Sequence, residues 1–111
     1  MLLARKALVL TMIGVVALGS AVPAFAEGVW NRTHPRRAEV NHRIGNHERQ
    51  IRHDVRDGQL SRGQGRALMA QERAVRSDER ADARLDGSHI TRGEQAQLNS
   101  DLNAIHNEIP H

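Results

Sequence analysis

The sequence predicts an all-α protein, a small antiparallel three-helix hairpin array that follows an N-terminal export signal. Three observations carry this reading. Apolar residues recur at helical spacing along three successive segments, the turn pairs Asp57-Gly58 and Asp86-Gly87 separate those segments, and no stretch alternates apolar and polar residues as a half-buried strand does.

The export signal comes first. Arg5 and Lys6 give a positive start, Ala7 to Leu18 form an apolar run, Gly19, Ser20 and Pro23 break it, and Ala24-Phe25-Ala26 offers small residues where a signal peptidase cuts. A bilayer-spanning helix needs roughly 20 apolar residues, and this run is shorter, so membrane association is expected only through the cleaved signal. The expected organisation is a signal over residues 1–26, a flexible arm over 27–33 and a helical domain over 34–111. Its helices fall at about 35–56, 62–85 and 92–108. The expected location is the periplasm or the medium.

The 111-residue chain has no cysteine, which excludes disulfides and a lipid-bearing cysteine in a compartment that would permit both. After residue 26 there remain fourteen arginines, no lysine, and all thirteen acidic residues, a net charge of +1. Opposite signs alternate and Trp30 is the sole aromatic of that part, so neither a clustered basic face nor a base-stacking platform for nucleic acid is present. The apolar content is thin for a chain of this length, which predicts a domain weakly stable alone, one supported by self-association or a partner, or partial disorder.

The first helix opens at Thr33-His34-Pro35, a capping residue followed by a proline whose missing N–H costs nothing there. Val40, Ile44, Ile51 and Val55 form its apolar stripe, and Glu39 with Arg43 and Glu48 with Arg52 stand at i, i+4 in the favourable order. His47 falls inside the stripe as a half-buried residue, so its protonation against the core is expected to loosen this helix. Ser61 with Gln64 is a capping box that starts the second helix, whose stripe reads Leu68, Val75 and Leu85 with Ala67, Ala74 and Ala81 between. The acidic residues along it read as a solvated face. Thr91 with Glu94 starts the third helix, with Leu98, Leu102, Ile105 and Ile109 as its seam. The second and third units are repeats offset by 30 positions, matching Leu60 to Ile90, Ser61 to Thr91, Gln64 to Glu94, Leu68 to Leu98 and Val75 to Ile105.

Three constellations bear on function. Each Asp-Gly turn resembles the centre of an EF-hand loop, which wants oxygen ligands at positions 1, 3 and 5, glycine at 6 and glutamate at 12. Around Gly58 only Asp57 is a suitable ligand. Around Gly87, Asp82 and Asp86 fit, Arg84 intrudes, and Glu94 arrives one residue late. The loops resemble degenerate EF-hands, and calcium at Asp82, Asp86 and Glu94 is the second functional reading.

Leu60-Ser61-x-x-Gln64 and Ile90-Thr91-x-x-Glu94 resemble the repeated L-T-x-x-Q motif of the Spy/CpxP family of periplasmic stress proteins. That resemblance implies an exported helical protein that binds unfolded clients or senses envelope damage. The isoleucine, the glutamate and the short mature chain depart from it, and helix capping alone explains the same spacing. From His34 to Ile109 the chain also resembles small exported proteins of proteobacteria, through Asn41-His42-Arg43, Gly58 to Ser61 and Gly87 to Glu94; this resemblance implies no activity.

Among the seven histidines no pair stands at i, i+4, so no single helix presents two imidazoles to one ion. There is no nucleophile elbow and no phosphate loop, and an enzyme is not expected. The leading expectation is a non-enzymatic interaction protein without cofactor. Arg62, Arg66, Arg73, Arg76 and Arg80 would contact a protein partner, an unfolded client or a second copy.

Overall fold

The computed structural model describes residues 24–111, and the export signal expected over residues 1–26 lies outside these except for its last three residues. Four helices account for the regular structure, α1 (Ala24–Thr33), α2 (Pro35–Asp57), α3 (Arg62–Leu85) and α4 (Arg92–Glu108), with no strand among the described residues. The chain divides into two units after Arg32. Residues 27–33, read from the sequence as an arm, lie within α1. Glu27 in the first turn and Arg32 in the last complement the helix dipole of α1. No described helix is long and apolar enough to cross a membrane.

Each boundary between α2 and α4 has an identifiable cause. Gly58 takes φ +83°, where the N–H of Gln59 reaches the carbonyl of Asp54 and that of Gly58 reaches Val55, so the last carbonyls of α2 are satisfied as glycine allows. Ser61 then caps α3 through a reciprocal pair. Its Oγ accepts from the Gln64 N–H at 3.0 Å while Gln64 Oε1 accepts from the Ser61 N–H at 2.8 Å. The end of α3 repeats the device with the carbonyl of Ala83, and Thr91 and Glu94 cap α4 with bonds of 3.1 and 2.9 Å.

The buried positions follow a three-four alternation. Val40, Ile44, His47, Ile51 and Asp54 are buried on α2, Gly65, Leu68, Glu72, Val75, Glu79 and Ala83 on α3, and Leu98, Leu102 and Ile105 on α4. Leu60 and Ile90, which immediately precede the two caps, and Ile109 after α4 complete the apolar core. Each large aliphatic side chain so buried contributes about 1.5–3 kcal/mol. The seam of α3 therefore differs from the stripe read in the sequence. Leu85 is 81% exposed, and Ala67 and Ala74 face solvent. The register runs through 65, 68, 72, 75, 79 and 83, so residue 85 falls off its end.

Two carboxylates occupy that register, and this overturns the reading of the acidic residues of α3 as a solvated face. Glu72 and Glu79 are both 0% exposed. The guanidinium of Arg37 forks onto Glu79, with Nε 2.5 Å from Oε2 and Nη2 3.3 Å from Oε1. His47 meets Glu72 at 2.6 Å. Because residues 37, 47 and 48 of α2 meet 79, 72 and 76 of α3, the two helices run in opposite directions. Between α2 and α4 the order is parallel: Glu39 accepts from Gln95 and Asn99, and Arg43 donates to Asn99 and Asn103.

The expected pairs Glu39–Arg43 and Glu48–Arg52 are replaced by these longer-range contacts. The Glu48 carboxylate accepts from Arg76 at 3.0 Å instead. An exposed i, i+4 pair on one helix is worth only a few tenths of a kcal/mol, so partners presented by a neighbouring helix displace it.

Candidate functional site

The hairpin of α2 and α3 closes tightly at its turn end. A Cβ built on Gly65 would stand 2.4 Å from Cγ2 of Val55, so only glycine allows the approach. Beside this crossing lies an open groove of about 520 Å³. Its floor is Ile51, Val55, Gly65 and Met69, and its walls are Arg52 and Arg56 of α2 with Arg62, Arg66 and Arg73 of α3. Val55 and Met69 are only partly buried while resting against the core, so the floor is apolar surface continuous with the protein interior.

Among the described residues, none of the five groove guanidiniums takes part in a hydrogen bond or ion pair. Five uncompensated charges in one groove repel one another, and Arg62 adds to this as the first residue of α3, where the positive end of the helix dipole lies. A guanidinium presents a planar fork of donors suited to carboxylate or phosphate, and its stem covers apolar surface. The groove can therefore hold an apolar body with anionic edges.

Of the arginines proposed from sequence as partner contacts, the structure brings Arg62, Arg66 and Arg73 together. Arg76 is held by Glu48, and Arg80 lines a separate depression with Arg37 and Arg84. Arg52 and Arg56 were missed as groove residues. Their signal was available: standing four apart just before Asp57-Gly58, they are folded by the turn against Arg62 and Arg66. The motif residues Leu60 and Ile90 are buried core, and Ser61, Gln64, Thr91 and Glu94 are engaged in capping.

The acidic residues of the second turn are close to one another. A side-chain hydrogen bond to Glu94 raises the Asp86 carboxyl above its ordinary value, while the backbone hydrogen bond from Thr91 holds Glu94 below its own. Desolvation, then the Glu94 charge, raises Asp82. Among the described residues no group of three or more His, Cys, Asp or Glu side chains is disposed to hold a metal ion.

The pair His47–Glu72 is, beside Arg37–Glu79, a second buried polar contact between α2 and α3. Burial lowers the His47 pKa, helped by Arg43, His106 and His111. Burial, with the Glu48 charge, raises Glu72 to about 7. Both shifts favour neutral partners, so below about pH 7, and as long as His47 is neutral, the Glu72 hydroxyl donates to Nδ1 of His47. The ring of His106 stacks on His47 with centroids 5.6 Å apart, and His111 closes on His106 at 4.2 Å. Sequence spacing separated Glu72 from His47 by 25 positions and gave no hint of the pairing.

Comparison with family models, curated proteins and solved structures finds no match to this chain.

Proposed function

We propose that the chain acts as an exported, non-enzymatic interaction protein, a three-helix hairpin array released from its signal, whose groove between α2 and α3 binds polypeptide. The observation that carries this is the apolar floor of Ile51, Val55 and Met69 between five arginines that no carboxylate compensates. Apolar surface continuous with the core and rimmed by like charge suits an occupant that brings apolar side chains and carboxylates together. An unfolded client or a protein partner supplies both apolar side chains and carboxylates.

The test is suppression of aggregation. The mature chain should keep a chemically unfolded test protein in solution, and the double variant Arg66→Glu/Arg73→Glu, with helicity verified, should lose that activity. Retention of full activity by the variant would remove the groove from the reading. Binding of a divalent cation at Asp82, Asp86 and Glu94 has less support, since Oε1 of Glu94 is committed to the Thr91 N–H at 2.9 Å and would have to leave the cap. A saturable change in helicity on adding calcium would favour that alternative.

A further inference from the structure

We infer that the occupant of the groove is an acidic amphipathic helix of a partner protein, laid between α2 and α3 as a fourth helix of the bundle. This rests on the groove reading above and specifies the shape and charge of what binds there.

The first argument is the arrangement of the cations. They do not converge on a point. Arg52 and Arg56 stand four apart on one bank, Arg62, Arg66 and Arg73 stand four and seven apart on the other, and the apolar floor runs between the two rows. An apolar centre flanked on both sides by one sign of charge is the relation of core to flanking positions in a coiled coil. The complementary surface is a helix with an aliphatic stripe and carboxylates on both sides of it. A single phosphate or lipid headgroup would instead need donors gathered around one anion.

Length is the second argument. From Arg62 to Arg73 the α3 bank extends about 16 Å, or three helical turns, the span over which an amphipathic helix presents a full set of anchors. Backbone chemistry is the third. An extended segment here would draw on the arginines and solvent for its backbone groups, since the floor is aliphatic, whereas a helix satisfies its own and leaves the arginines to its carboxylates.

A second copy of this chain is a poor match. Groove against groove opposes arginine to arginine, and the exposed large hydrophobics among the described residues are Val29 and Leu85, isolated residues rather than a stripe.

The experiment uses the full mature chain and a fluorescein-labelled three-heptad helical peptide with leucine at the core positions and glutamate at the flanking ones. A second peptide carries lysine at the flanks, and vesicles of phosphatidylglycerol form a third arm. The glutamate peptide should bind saturably, weaken as salt rises from about 0.05 to 0.5 M, and lose at least about tenfold in affinity against Arg66→Glu/Arg73→Glu. The lysine peptide and the vesicles should not bind at the groove. Equal binding of the two peptides, an unchanged affinity in the variant, vesicle binding that the variant abolishes while the glutamate peptide fails, or self-association through the groove in sedimentation would each overturn the proposal. If the same substitutions abolish aggregation suppression yet the glutamate peptide does not bind, the groove reading stands and the helical occupant falls.

Discussion

Nδ1 of His47 and Oε2 of Glu72 lie 2.6 Å apart in the interior between α2 and α3, within hydrogen-bond distance. Oε1 of Glu72 has no hydrogen-bond partner among the described residues. Burial of this kind keeps the carboxyl neutral and ties the stability of the bundle to pH.

The direction follows from the raised carboxyl. Glu72 titrates near 7 in the folded chain against 4.5 for a free side chain. Its stabilising contribution is thus complete below about pH 4.5 and is lost as pH rises through 7, to an upper limit of about 3 kcal/mol. His47 opposes it: with its pKa lowered, its contribution is present above pH 6.5 and lost as pH falls through the folded value. Over the interval in which both groups titrate, the two contributions therefore offset each other in part. The glutamate component is isolated by comparison with Glu72→Gln. In urea denaturation from pH 5 to 8, the advantage of glutamate over glutamine should shrink steadily as pH rises; parallel pH profiles would refute the raised carboxyl.

Gly65 gives a prediction of opposite sign to the usual rule. In a helix interior alanine exceeds glycine by about 1 kcal/mol, yet a Cβ here meets Val55 Cγ2 at 2.4 Å. Gly65→Ala should therefore destabilise by about 1–3 kcal/mol, since a branched side chain in a packed hairpin has little room to yield. Adding Val55→Ala should restore most of the loss, and thermal melts of the two variants check it.

Removing charge from the groove should stabilise the free protein. Arg66→Gln or Arg73→Gln relieves repulsion among five unpaired guanidiniums and is expected to raise stability by a few tenths to about 1 kcal/mol, while aggregation suppression weakens. If either variant is less stable than the parent in urea, the groove charges are not in conflict.

The internal repeat predicts how the buried acids can be replaced. At the offset of 30 positions, Glu72 corresponds to Leu102 and Glu79 to Ile109, both core residues. Glu79→Leu alone should cost about 1–3 kcal/mol, because it removes the bidentate carboxylate from Arg37 and leaves that guanidinium to its bond with the Ser88 carbonyl. The double change His47→Leu/Glu72→Leu should be neutral or stabilising, because both ends of the pair leave together. A large loss for the double variant, measured by denaturation, would show that the polar layer sets the register of the bundle.

The all-helical class was legible because it rests on local signals: Gly58 in the left-handed region, Ser61 and Thr91 as caps, and aliphatic residues at three-four spacing. The buried acids of α3 were misread because charge was taken as a mark of solvent. The register of Leu68 and Val75 already pointed at 72 and 79, and the repeat aligned those positions with Leu102 and Ile109. Only the partners, Arg37 and His47, required the fold. Half of the groove was legible as an arginine row on one helix; the other half comes from Arg52 and Arg56, which a turn of four residues brings across. The salt pairs within α2 failed as expectations because their energies are small enough for any neighbouring helix to override.

The central claim, that polypeptide binds between α2 and α3, is tested most directly by photo-cross-linking from the floor itself. A photoreactive side chain at Met69 should capture an unfolded test protein or the acidic helical peptide, and the adduct should be lost when Arg66 and Arg73 are reversed in charge. The same group at Ala104, on the solvent side of α4, should capture neither. Equal capture from both positions, or capture from Ala104 alone, would contradict the account.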